Sequence, residues 1–328
     1  MLRMIVETIH AKANGHTGGG SLGLGNLRYD PASNRVKGFC GRLLTPDTLG
    51  SFREEVAAAI KANPLATRLT ARALARNELL PKIREIYENL FGVGLLEASI
   101  PVDNHHSIVY VGRNTPIRFA PENVRFAQMA ILKGAQEATP VSMESALGRV
   151  RGEYRLATLD SDTIAPHIDS LVGLFGQAYP KYLLQIDRSA VLDMVSGENI
   201  FFAALRDDRI CSVLVAEHGI VHVEGYGNLV LRELSEYATD NAHGGKGLNI
   251  ALQHLAINTL RSSGEPSVIF AEGRAPWHAV IRSMVRAGLQ HGGTLNQHCT
   301  LVAIRDAAAD HHGDYEDLHV FYPVRENV

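Results

Sequence analysis

The sequence predicts an α/β fold built on a mixed sheet, in two units of which the second is the larger. Three observations point there. The chain has 328 residues, more than one hydrophobic core ordinarily serves, so two domains of roughly 150 residues each are expected. A helix, strand, turn, strand pattern ends the first unit near residue 112, and alternating helices and strands run from 151 onward. Between them, residues 113–150 are punctuated by proline and show little periodicity beyond one amphipathic stretch at 121–135. The expected organisation is therefore a smaller α/β domain over 1–112, a linker with a short helix over 113–150, and the main α/β domain over 151–328.

The elements follow in order. LRYDPASNRVKGFCGRLL reads as two short strands around a DPASN turn. TPDTLGSFREEVAAAIKAN opens on a Thr-Pro-Asp start signal and spaces Leu49, Phe52, Val56 and Ile60 three or four apart, a helix. ELLPKIREIYENLFGVG is a second helix closed by glycine, and LLEASIPV and SIVYVGR are strands flanking a DNHH turn. In the second unit YRLATLD is a strand, SDTIAPHIDSLVGLFGQAYP a helix with a Ser-Asp start, and DRSAVLDMVSGE a shorter helix. Three strands follow, with turns expected at the DD and HG pairs. The helix GLNIALQHLAINTLRSSG, the strand SVIFAEGR, the helix APWHAVIRSMVRAG and two strands around TLNQHCTLVAI and YEDLHVFYPV complete the pattern.

Bulk chemistry removes several function classes. A formal net charge of -3 with 45% apolar and 20% charged residues describes a soluble globular chain with no electrostatic pull toward nucleic acid or an anionic membrane. Cys40, Cys211 and Cys299 are widely spaced, which suits a reducing compartment better than a disulfide framework or a zinc ribbon. No window reaches the roughly 18 apolar residues of a membrane span, and the N-terminus lacks a signal-peptide pattern, so the cytoplasm is the expected location. The pairs His105-His106 and His311-His312 lack metal-ligand spacing, and no metal is expected. A formal GxGxxG at Gly18, Gly20 and Gly23 is followed by strands where a dinucleotide site needs a helix, so it reads as a loop.

TDNAHGGKGLNIAL, residues 239–252, is the motif that carries chemistry. Gly244, Gly245 and Gly247 let backbone amides approach a ligand, and the helix beginning there turns its free N–H groups toward the same spot. Lys246 adds a cation, but it is followed by Gly247 where a nucleotide triphosphatase needs Ser or Thr. A phosphate or pyrophosphate is the expected occupant, a ligand-free turn the alternative.

In context the sequence resembles the GNAT superfamily of acyl-CoA N-acyltransferases. Their Q/R-x-x-G-x-G/A signature falls on Gly244, Gly245, Lys246, Gly247, Leu248 and Asn249, with Gly244 in place of the leading Arg or Gln and Asn249 in place of the closing small residue. Within it, three ordered stretches are similar to β-lysine N-acetyltransferases. RELSEYATDNAHGGKGL matches at Glu233, Glu236, Ala238, Thr239, Gly245, Lys246, Gly247 and Leu248; HGGTLNQHC at Gly292, Gly293, Leu295 and Cys299; GDYEDLHVFY at Gly313, Asp314, Glu316, Asp317, Val320 and Tyr322. YENLFGVGLLEASIPVDNHHSIVYVG is similar to a degenerate half-module preceding the catalytic domain, which implies a smaller GNAT-like first unit without a phosphate loop. RDAAADHH at 305–312 departs from the pattern.

The resemblance implies a GNAT fold in the second unit and acetyl transfer from acetyl-CoA to an amine of a small amino acid or polyamine such as β-lysine. The implied base is a carboxylate of the fourth strand, Glu236 first and Glu233 second. Strand alternation puts residues three apart on opposite faces unless the strand bulges, so the two are not expected to work together. Acetyl-CoA would be held by Tyr237, Ala238, Thr239, Gly244, Gly245, Lys246, Gly247 and Leu248, with His278 where relatives place an asparagine. A tyrosine acid is implied four residues before the glycine ending the last helix, but that position is Met284, leaving Tyr237, Tyr315 or Cys299 as donors. Glu316, Asp317 and Cys299 are the candidates for the acceptor pocket. A different acyl donor or acceptor, or a CoA-binding regulatory protein without catalysis, are the alternatives, and a homodimer is left open.

Overall fold

The computed structural model describes residues 27–30, 35–64, 66–91, 95–114, 122–179, 187–299 and 315–324. The first half begins with β1 (Arg28–Asp30) antiparallel to β2 (Arg35–Phe39). Helix α1 (Leu49–Ala62) then buries Leu49, Phe52, Val56 and Ala59 at the expected spacing. Its start is tied by Thr48 Oγ1, which accepts from Thr45 N at 2.8 Å and donates to Leu43 O at 2.8 Å. β3 (Arg68–Arg76), α2 (Leu80–Phe91), β4 (Leu95–Pro101) and β5 (His106–Asn114) complete this half. β2 and β3 are parallel, and β3 pairs antiparallel with β5, which pairs antiparallel with β4.

The second half starts from β6 (Arg155–Leu159) and continues through α5 (Ile168–Ala178), α6 (Arg188–Ser196), β7 (Ile200–Arg206), β8 (Arg209–Val223) and β9 (Gly227–Thr239). Then come α7 (Leu248–Ser262), β10 (Ser267–Arg274), α8 (His278–Arg286), β11 (Leu289–Cys299) and β12 (Glu316–Pro323). The strands β9, β10, β12 and β11 repeat the arrangement of β2, β3, β5 and β4: one parallel pair followed by two antiparallel pairs. The two edges that correspond, β4 and β11, meet each other, with Gly293 opposite Ala98, and join everything into one twelve-stranded mixed sheet.

Close approach at this seam demands glycine. A Cβ on Gly292 would lie 2.5 Å from Ser99 O, and one on Gly293 would lie 2.1 Å from Glu97 O. Buried polar groups lock the same seam: Arg68 holds Glu97 and donates to Asn114 Oδ1 at 2.8 Å, Asn114 Nδ2 donates to Asn296 O at 3.0 Å, and Arg35 donates to His298 O at 3.0 Å. Burying polar groups this deeply is tolerated only when they are paired.

Four expectations need correction. The segment expected as a linker with a short helix holds two: α3 (Glu122–Gln136), over the expected amphipathic stretch, and α4 (Met143–Val150), which was not expected; both pack into the main core, burying Leu132, Ala135, Ala146 and Val150 alongside α7 and α8. The helix expected from Ser161 is interrupted: Asp160 caps a single turn, Ser161–Ile164, then Pro166 sits in a tighter turn before α5 begins. His218-Gly219 is no turn but the middle of β8, paired with Arg232 and Leu231; the reversal comes at Gly225–Gly227, where both glycines have positive φ. Finally, β11 starts at Leu289 rather than at Thr294. The GGG loop and the 305–312 segment lie outside the described residues.

Candidate active site

The sheet opens between β9 and β10. β9 and β10 run parallel from Val230↔Ser267 to Glu233↔Phe270 and then part. Beyond that point β10 stays with β12 through Arg274↔Leu318, while β9 stays with β8 through Thr239↔Ser212. The parting coincides with a bulge in β9: Ser235 opposes Val215 but Ala238 opposes Val213, so one residue is extra, and Glu236 takes a φ of 45°. Face alternation is reset there. Leu234 and Tyr237 both pack on the α7 side, and Ala238 joins the α5 and α6 core on the other. The bulge that would let Glu233 and Glu236 share a site is therefore present.

Glu233 lines a cavity between the two halves, with Lys37, Thr70, Arg72, Tyr110, Glu272 and His298, and about 20 Å³ of space for water in it, enough for a single molecule. Burial, then the charges of Glu272 and Glu217, push the Glu233 carboxyl well above the ordinary carboxylate range, against the pull of Arg72 and Lys37. Glu217 is raised by burial as well, although Ser235 Oγ donates to it at 2.6 Å. Burial works against the charge of Arg72, but Tyr110, Glu272 and Glu233 outweigh it and hold the guanidinium protonated. Glu236 is 8% exposed; burial and then its charge push the buried phenol of Tyr179 up, against the pull of Arg274. Tyr179 donates to Tyr237 O at 2.7 Å. The Tyr237 hydroxyl is itself buried with no hydrogen-bond partner among the described residues, and burial followed by the charge of Glu233 raises its pKa.

Below the opening lies the glycine loop. Asp240 caps a short turn over Asn241–His243, and the chain reaches α7 through Gly245 and Gly247, with φ of 75° and 84°. No side chain among the described residues caps the α7 N-terminus, so its amides are available to an anion. Among the described residues, space around Gly245 is open, and Arg149 of α4 comes near Gly247, its Cδ 3.6 Å from where a Cβ would stand. These features fit a pyrophosphate. Lys246 is instead engaged by Glu153 and lies 5.6 Å above the Tyr154 ring, and Asn249 donates to Ser283 Oγ at 3.2 Å, tying α7 to α8. Leu248 is core, and Thr239 Oγ1 bonds Ser212 Oγ at 2.7 Å.

Glu316 and Asp317 both have protein partners. Arg274 donates to Glu316 twice, at 2.7 and 2.6 Å, and Asp317 Oδ1 accepts from Gln297 N and Nε2 at 2.6 and 2.7 Å, holding Gln297 at a φ of 49°. Cys299 ends β11 opposite Glu316; its side chain is outside the described atoms. His278 begins α8 on the surface. Met284 is buried, with its sulfur 3.0 Å from where a Gly273 Cβ would stand, so it is core. Among the described residues no group of three or more His, Cys, Asp or Glu is arranged for a metal, and no helix is long and apolar enough to cross a membrane.

The residues that sequence reading missed are Glu272 and the cavity wall from the first half, Lys37, Thr70, Arg72 and Tyr110. A signal existed: RLTARALAR carries arginines at 68, 72 and 76, all on one strand face, in an otherwise apolar run.

No protein-family model matches this chain, and no curated protein matches it. Similarity does extend to solved structures. Arabidopsis thaliana NAA60 in complex with a bisubstrate analogue is 14% identical, with 52% of this chain and 100% of that one covered, at a TM-score of 0.40. An N-acetyltransferase from Staphylococcus aureus Mu50 is 13% identical over 52% of this chain and 96% of that one, at 0.37. An aminoglycoside acetyltransferase from an uncultured soil metagenomic sample, in complex with sisomicin, is 15% identical over 37% and 78%, at 0.31. Likeness at this level assigns no activity to this chain; its own residues must carry that.

Proposed function

We propose that the second half transfers an acetyl group from acetyl-CoA to the amine of a small amino acid or polyamine, β-lysine being the model acceptor. The observation that carries this reading is the parting of β9 and β10 just after Glu233 and Phe270, with an uncapped glycine-led helix, α7, at the end of the opened strand. An opened parallel pair leaves the β9 edge from Leu234 to Thr239 without a β10 partner, so backbone groups there can bind an extended ligand. The amides at Gly245 and Gly247 supply an anion cradle for its pyrophosphate. The sequence resemblance described above supports the same assignment.

Acetyl-CoA supplies an activated thioester. Glu233 is proposed as the base in preference to Glu236, because Glu233 faces the water-sized cavity and Glu236 is taken up by the bulge. A carboxyl raised above the ordinary range is a stronger proton acceptor than an ordinary one, and Arg72 and Lys37 pull against that rise. Transfer forms the N–C bond and breaks the C–S bond, with the electron pair going to sulfur. The ammonium nitrogen gives up two protons in all; one reaches Glu233 and then solvent, and one ends on sulfur. Tyr237, whose buried hydroxyl has no partner among the described residues, is the proposed donor to sulfur now that Met284 is placed in the core. The acceptor enters against the seam between the halves, and much of the rate enhancement comes from holding it in line with the thioester.

One observation favours a second reading. Lys246 is held by Glu153 rather than standing free at the loop, which suits a CoA-binding protein without turnover as well as an enzyme. Titration of CoA by calorimetry into wild type and Gly247→Pro tests the cradle: proline cannot adopt a φ of 84°, so binding should be lost. Unchanged binding would remove the cradle from both readings.

A further inference from the structure

The first half has its own counterpart of the glycine loop, and it is unfit for phosphate: Thr45, Pro46, Asp47 and Thr48 lead into α1, with the two threonine hydroxyls bonded within the turn and the Asp47 carboxylate exposed beside them. What this half contributes lies instead at the seam. β3 presents Arg72 directly across from Tyr110 on β5 and from Phe39 on β2. The guanidinium stands 5.8 Å from the Tyr110 ring and 6.0 Å from the Phe39 ring, a stacked setting that fixes its direction. From there it looks into the cavity at Glu233 and Glu272, which belong to the two strands that part.

We propose that Arg72 is a positioning residue for the transfer reaction, holding the Glu233 and Glu272 carboxyls at the seam so that Glu233 can accept the acceptor's proton near neutral pH. The inference rests on the acetyl-transfer reading above, and makes the first half an obligatory part of the active site.

The charges around Glu233 explain why a cation is needed. Glu217 faces it from β8 and Glu272 from β10; Lys37 faces it from β2, Arg72 from β3, Tyr110 from β5 and His298 from β11, while Tyr237 lies on its own strand. Three carboxyls thus gather against two cations. Removing the guanidinium leaves the acids facing one another and favours the protonated form of Glu233, which cannot accept a proton. Lys37 alone cannot do the same work, since a compact ammonium has no planar fork to span two carboxyls.

The test is the pH dependence of kcat/KM, followed by thiol release from acetyl-CoA with an amine that wild type accepts, in wild type, Arg72→Met and Arg72→Lys. Methionine keeps the packing on the two rings and removes the charge. For Arg72→Met the acid limb should move up by about one pH unit, a loss of about tenfold at pH 7 that is recovered at higher pH. The KM for acetyl-CoA should be unchanged. Arg72→Lys should move the limb in the same direction by less, and it decides the matter if the methionine variant fails to fold. A limb that stays in place in a folded variant overturns the inference. Absence of turnover in wild type with every amine overturns the acetyl-transfer reading itself, and with it this role for Arg72.

Discussion

Arg274 on β10 clasps Glu316 on β12 through two hydrogen bonds, from Nε at 2.7 Å and from Nη2 at 2.6 Å, with the guanidinium 4.8 Å from the Trp277 ring. A carboxylate held by both oxygens has little left to offer an incoming cation. Glu316→Gln is therefore expected to cost about 1–3 kcal/mol of stability by leaving the half-buried guanidinium underbonded. It should leave the KM of the acceptor amine near the wild-type value. Urea unfolding together with acceptor titration checks both; a raised acceptor KM without loss of stability would return Glu316 to the substrate pocket.

The two carboxylates of β9 should separate kinetically. Glu233→Gln removes the group that faces the cavity and is expected to lower kcat by about 100-fold or more. Glu236→Gln should do much less to kcat, because its backbone at a φ of 45° builds the bulge whichever of these side chains it carries. Steady-state kinetics at saturating acetyl-CoA distinguish them, and the reverse order would put the base at the bulge.

How much of this was legible in the sequence depended on how local the cause was. The start of α1, the helix that follows the glycine loop and the strand YEDLHVFYPV are set by neighbouring residues, and all three stand where the sequence puts them. Within 113–150 the amphipathic stretch of α3 is legible, but α4 and the packing of both helices are not, because they depend on the core they cover: Leu132, Ala135, Ala146 and Val150 have little meaning until α7 and α8 are beside them. The bulge at Glu236 is a mismatch between β9 and β8, and a mismatch exists only in a pair. Arg72 meets Glu233 across 161 positions of chain, a distance at which pattern reading has no reach. Glycine beside a polar residue usually marks a turn, whereas Gly219 pairs with Leu231 in mid-strand.

The seam between the halves offers a test of geometry alone. Gly293→Ala places a Cβ 2.1 Å from Glu97 O and forces a residue with a side chain to a φ of 142°, so a loss of about 3 kcal/mol or more is expected. Gly288→Ala meets no atom within 4 Å and suffers only the positive φ of 81°, costing about 1–2 kcal/mol. Thermal unfolding of the pair should show the first far more damaged than the second. Equal losses would mean that β4 and β11 do not approach as closely as described.

Acid should weaken the fold through His319. Its ring is fully buried, its Nδ1 lies 2.9 Å from Thr294 Oγ1, and burial followed by the neighbouring His291 lowers its pKa to about 4. An unfolded histidine titrates near 6.5, so between pH 6.5 and 4 the unfolded chain takes up a proton that the folded chain refuses. Stability should therefore fall as pH drops through that window, by at most about 3 kcal/mol from this residue. His319→Gln should flatten that part of the profile in denaturant unfolding followed across pH. An unchanged slope would assign the acid loss to other groups.

The most direct measurement is thiol release from acetyl-CoA with a panel of diamines and amino acids, β-lysine among them, in wild type and Glu233→Gln. Amine-dependent release of one thiol per acetylated product, nearly abolished in Glu233→Gln, is the expected result. CoA binding without amine-dependent release in any case would contradict acetyl transfer and leave a CoA-binding protein in its place.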